Sequence, residues 1–277
     1  MVKSISKILF VLTIIIATNL GGCSSPKAQI SLERVAVTGA SVTAGWGLKT
    51  PPIKGDFGGY PINLKHIIDA MILTPHEEVA YFGEPMFFAD PVVHGKELIE
   101  RITAYDPTLI IAVDYLFWFA YGDVGLSGEE FRIKKFQEGL SILGNIQIPL
   151  IIGGIPDMQK AIGRVLSASQ VPSFESIQTM NTMLYAWATL HPNVTVVDIH
   201  SLFMALLDDV SIATYSYTWP AGSQEKLLQK DMLHTTFEGT VALSLAVADL
   251  IGLEGLESNP KVLMKNAAAI ARATAKK

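Results

Sequence analysis

Five short apolar runs, spaced along the chain with helical stretches between them, limit what this sequence can fold into. They cover residues 34–38, 78–82, 108–114, 149–153 and 194–198. Continuous apolar runs without a polar alternation, such as Thr-Leu-Ile-Ile-Ala-Val-Asp at 108–114, are what strands buried on both faces look like. The intervening segments repeat their apolar residues at helical spacing, as in Ile62, Leu64, Ile67, Ile68 and Met71. Helices are likewise expected over 96–104, 128–143, 173–190, 200–207 and 236–251. Strand and helix in alternation predict a parallel sheet covered by helices on both faces. With 49% hydrophobic residues in 277, one large α/β domain with a full core is affordable.

The first run ends abruptly. Val35-Ala36-Val37-Thr38 breaks at Gly39, and Ala40-Ser41-Val42-Thr43-Ala44-Gly45-Trp46-Gly47 follows. A serine on a tight turn after a buried strand can be held rigidly among backbone N–H groups, the geometry an acyl-transfer nucleophile needs. A serine here can also be a plain turn or capping residue. A nucleophilic serine needs a base and an orienting carboxylate. Asp231-Met232-Leu233-His234, just before the apolar helix at 236–251, can supply both from one loop.

Taken together, Gly39-Ala40-Ser41-Val42-Thr43-Ala44-Gly45 and Asp231-x-x-His234 resemble the first and last blocks of the SGNH, or GDSL-type, hydrolases. Asn181-x-x-Leu184 leading to Pro192-Asn193-Val194-Thr195-Val196-Val197-Asp198 is similar to that family's approach to its fifth strand. The resemblance runs from about Arg34 to Leu250. It implies a flavodoxin-like three-layer α/β/α sandwich with a five-stranded parallel sheet of order 2-1-3-4-5, and hydrolysis of a carboxylic ester by Ser41, His234 and Asp231. The oxyanion would be held by the N–H of Ser41 and by Gly95, matched to the second block; Gly95 can equally be a glycine leading a helix. The third block, Gly-x-Asn-Asp, is replaced by Ala112-Val113-Asp114-Tyr115. Asp114 then stands where the oxyanion-donating Asn should be. It would be a protonated donor crowded by aromatics, or a strand-end carboxylate capping the next segment. Ala40 also replaces the usual Asp before the serine. These departures leave a second reading open, a binding protein with weakened catalysis. Acyl or acetyl transfer onto an envelope sugar would use the same residues.

Other candidates compete. Asp90-x-x-x-His94 and Asp198-Ile199-His200 are rival acid–base pairs, Asp157 follows the fourth strand, and Tyr215, Tyr217 and Trp219 either line an acyl pocket or cover the core. The six histidines show neither HExxH nor a paired-ligand spacing, so neither metal nor cofactor is expected. No Gly-Lys-Ser/Thr follows Gly58-Gly59, which argues against a P-loop. The formal charge of −5 argues against nucleic acid as a partner.

The N-terminus reads as a targeting segment over 1–22. Lys3 and Lys7 precede an apolar run at 8–17 that is too short to span a bilayer. Leu20-Gly21-Gly22-Cys23 resembles the lipobox of bacterial lipoproteins, in which Cys23, the single cysteine, would carry the lipid. An ordinary signal peptide with an incidental cysteine is the alternative. Lipidation implies a globule tethered at the bacterial cell envelope, with the membrane as partner through Cys23. Residues 23–32 read as a linker, 33–258 as the hydrolase-like domain, and 259–277, rich in Ala with Lys and Arg, as a solvated terminal helix.

Overall fold

The computed structural model describes residues 30–276 apart from 54–57, 215 and 253. The targeting segment and Cys23 lie outside the described residues. The expected strands form as β1 (Val35–Thr38), β2 (Ala80–Phe82), β3 (Leu109–Ala112), β4 (Leu150–Gly153) and β5 (Val194–Val197). They build one parallel sheet in the order β2-β1-β3-β4-β5. The register sets Val37 beside Tyr81 and Ile111, and Ile152 beside Ala112 and Val196. The three central strands are buried at every position, which is why their sequences carry no polar alternation.

The helices are α1 (Leu64–Met71), α2 (Pro91–Tyr105), α3 (Phe117–Ala120), α4 (Gly128–Leu143), α5 (Phe174–Thr189), α6 (Ile199–Leu207), α7 (Gln224–Leu227), α8 (Phe237–Ile251) and α9 (Pro260–Thr274). α1, α8 and α9 pack together as one layer, and α2, α3, α4 and α5 as the other. This is the three-layer sandwich and strand order that the family resemblance implies. Helix starts follow local capping chemistry. Asp90 accepts from the Val93 N–H at α2, Ser173 from Ser176 at α5, Asp198 from Ser201 at α6, and Thr236 from Gly239 at α8.

One expectation is corrected. The C-terminal stretch is part of the core rather than a solvated tail. Leu263, Ala267, Ala268 and Ala271 of α9 are buried against α1 and α8, because a stripe of alanines lets helices approach closely. Of the two readings open for Tyr215, Tyr217 and Trp219, the structure decides one at Trp219, which lies in an antiparallel pair, β6 (Ile212–Ala213) with β7 (Thr218–Trp219). Trp219 is fully buried and donates from Nε1 to Glu238 Oε1 at 3.1 Å, so it covers the core.

Candidate active site

The carboxyl ends of β1 and β3 and the loop before α8 meet at one rim of the sheet. Ser41 stands on the turn after β1. Backbone bonds from Ala44 to Ala40, Gly45 to Val42 and Trp46 to Ser41 hold that turn (2.9–3.1 Å). Gly45 has φ +70°, and a Cβ there would strike the Ile62 carbonyl, so the turn requires glycine. At the far end of the chain, Leu228 bridges Thr235, and the Gln229 N–H donates to the His234 carbonyl at 2.8 Å. This closes a loop that carries Asp231 and His234. Met232 sits in the left-handed region at φ 61° to complete it.

The two ends meet. His234 Nε2 lies 2.9 Å from Ser41 Oγ, and His234 Nδ1 lies 2.7 Å from Asp231 Oδ2. The Asp231 Oδ1 accepts the N–H groups of Leu233 (3.0 Å) and His234 (2.9 Å). One carboxylate therefore fixes both the loop and the imidazole. Partial burial pushes the Asp231 carboxyl up, but the hydrogen bonds from the His234 ring and from the His234 and Leu233 amides outweigh it. The carboxyl is held below the ordinary carboxylate range. With an acceptor fixed at Nδ1, the proton of the neutral ring stays on that nitrogen, leaving Nε2 free to accept from the serine hydroxyl.

The Asp114 expectation is corrected. Its carboxylate turns away from the space over Ser41 and into the turn beneath it. Oδ2 accepts the N–H groups of Val42 (2.9 Å) and Thr43 (3.2 Å), and Oδ1 accepts the Thr43 hydroxyl in a short bond. Asp114 is an acceptor that braces the nucleophile turn, with no free donor for an oxyanion. The same packing explains Gly39, where a Cβ would run into Asp114 Oδ1 and Thr43 Oγ1. The Ser41 N–H, just before the two amides that Asp114 engages, finds no acceptor among the described residues.

Gly95 is corrected as well. It lies inside α2, buried against the Tyr115 hydroxyl and Phe119, and its N–H belongs to the helix ladder. It leads no loop toward Ser41. The rival pairs do not form. Asp90 caps α2 while His94 faces Glu97 at 3.4 Å. Asp198 caps α6 through the Ser201 N–H and hydroxyl. Asp157 accepts the Gln159 N–H in a turn. Among the described residues no group of three or more His, Cys, Asp or Glu side chains gathers where a metal could be held.

Two residues that sequence reasoning did not single out complete the site. Trp46 is 64% exposed and stacks on the His234 ring, with centroids 5.9 Å apart. Gln229 Nε2 donates to the carbonyls of Trp46 and Thr235, both at 2.8 Å, tying the serine loop to the histidine loop. No spacing rule pointed to Gln229, because its two partners lie 183 and 6 residues away.

A serine, histidine and aspartate in hydrogen-bonded sequence at the carboxyl rim of a parallel α/β sheet define the type of site. Comparison with solved structures places the fold. The acetylxylan esterase Axe2 from Geobacillus stearothermophilus superposes with a TM-score of 0.50 at 15% identity, covering 83% of this chain and 100% of that one. A protein described as a GDSL-like lipase from Parabacteroides merdae aligns over 81% of this chain and 99% of its own at 14% identity, with a TM-score of 0.47. A gut microbial diltiazem-metabolizing enzyme aligns over 80% of this chain at 14% identity and a TM-score of 0.46, and the match spans 47% of that longer protein. The likeness is one of fold. No family model matches the chain, and no curated protein matches it in sequence.

Proposed function

We propose that this chain is a serine ester hydrolase of the SGNH type. The observation that carries this reading is the unbroken Ser41–His234–Asp231 hydrogen-bond chain. Ser41 Oγ attacks the ester carbonyl while His234 Nε2 takes its proton, and Asp231 stabilises the imidazolium and holds its orientation. The tetrahedral oxyanion is met by the Ser41 N–H. Collapse breaks the bond to the alcohol, which leaves with the proton from His234. Water, deprotonated by the same imidazole, then attacks the acyl-serine, releases the acid and restores the Ser41 hydroxyl. Metal and cofactor have no part in this reading. The lipobox-like Leu20-Gly21-Gly22-Cys23 supports a lipid anchor at Cys23 and a place at the bacterial cell envelope.

The test is active-site labelling. A fluorophosphonate is expected to label the wild-type protein on Ser41, with labelling lost in Ser41→Ala and in His234→Ala. Wild-type protein that stays unlabelled while folded would favour a binding role instead. A second expectation concerns the loop tie. Gln229→Ala is expected to lower kcat about tenfold with KM nearly unchanged, because a displacement of well under 1 Å in the base is costly. Steady-state kinetics on a p-nitrophenyl ester checks it. A change confined to KM would remove Gln229 from the positioning role.

A further inference from the structure

Behind Ser41 the sheet rim opens into a cavity of about 110 Å³ that runs between α6 and α8. Leu202, Phe203 and Leu206 form one wall, and Ala242 and Leu243 form the other. Gly153, Gly154, Ile155 and Pro156, the segment leaving β4, make the floor. Among the described residues, Ser41, Asp114 and Thr235 bring the only polar side chains to it, and Asp114 is already engaged with the β1 turn. No Lys, Arg or His among the described residues lines it, so a carboxylate, phosphate or sugar placed inside would be buried without a charged partner. Hydrocarbon is the chemistry that fits.

The position of the imidazole decides which end of an ester enters. His234 must protonate the leaving oxygen, and His234 and its stacked neighbour Trp46 lie outside the cavity lining. The alcohol therefore departs on the open side beside Trp46, and the acyl group points into the wall of α6 and α8. An apolar cavity of 150 Å³ accommodates a six-carbon ring, so about 110 Å³ suits a chain of roughly four to six carbons.

Resting on the hydrolase reading above, we propose that this cavity is the acyl subsite and that it selects unbranched acyl groups of about four to six carbons over acetate. Each methylene buried there is worth about a fourfold gain in kcat/KM.

A p-nitrophenyl ester series from acetate to dodecanoate tests it. The hexanoate-to-acetate ratio of kcat/KM is expected to reach about 250 in wild type, four methylenes at about fourfold each, with the rise ending near hexanoate. Ala242→Phe, which fills the cavity, is expected to collapse that ratio toward one. Phe203→Ala, which lengthens it, is expected to move the optimum to octanoate or beyond, and it decides the matter if thermal melts show that Ala242→Phe does not fold. Faster inactivation by a hexylphosphonofluoridate than by its methyl homologue provides a reading without turnover. A flat or acetate-peaked series in protein that a fluorophosphonate labels on Ser41 would overturn the acyl subsite and leave the hydrolase standing. So would a chain-length preference that appears only in alkyl acetates, where the length lies in the alcohol. Absence of both hydrolysis and Ser41 labelling would overturn both readings.

Discussion

Ser41→Ala and His234→Ala are each expected to lower ester turnover by about 10⁴–10⁶-fold, and the double variant by no more than either alone. The non-additivity follows from the geometry. The 2.9 Å bond between Oγ and Nε2 makes one functional unit, so removing either atom leaves the other with nothing to do. Asp231→Asn should cost about 10⁴-fold, because an amide at that position can hold the ring in the wrong tautomer. Asp231 also anchors the loop through two amides, so Asp231→Ala, which leaves both without an acceptor, should lower the melting temperature more than Ser41→Ala does. Single-turnover kinetics with thermal melts separates the two effects. Additive losses in the double variant would show that Ser41 and His234 do not act as a unit.

Asp114→Ala is expected to destabilise the protein by about 3–5 kcal/mol, since it strands the Val42 and Thr43 amides and the Thr43 hydroxyl in a closed space. For a chain of this size that is a fall of roughly 8–15 °C in Tm. Asp114→Asn keeps an oxygen for the two amides and can donate to Thr43 Oγ1, so it should retain most of both stability and activity. Burial is the largest influence on the Asp114 carboxyl and pushes it up; the bonds from Thr43 and from the Ala40 and Val42 amides offset this only in part. A raised pKa means that folding favours the protonated form. The associated stability is complete below the unfolded value of about 3.9 and is lost as pH rises through the folded one. Wild type should therefore lose stability relative to Asp114→Asn as pH is raised from about 4 to neutrality. Denaturant midpoints for the two proteins across that interval give the sign directly. An Asp114→Ala protein as stable as wild type would remove Asp114 as the brace of the turn.

The departures from the SGNH pattern take on a physical meaning in the structure. In the sequence, Ala40 and Asp114 are two separate departures, one before the serine and one after β3. In three dimensions the Asp114 carboxylate sits under the turn that contains Ala40 and bonds to the amides following it. A sequence places these residues 74 positions apart and says nothing of which way the carboxylate turns. For the same reason Gly95 was ambiguous. A glycine followed by a helical pattern can precede the helix or lie inside it, and packing against Tyr115 and Phe119 decided for the interior.

By itself the sequence determined the alternation of strands and helices and the two loops that carry Ser41, Asp231 and His234. Those features depend on local periodicity, on glycine at forced turns and on residue types within a few positions of one another. Only the tertiary structure decided the direction of Asp114, the tie through Gln229, the burial of α9 and the apolar cavity behind the serine. Each of these arises where surfaces from distant segments close on one another, and close packing across such gaps leaves no periodic trace in any single segment.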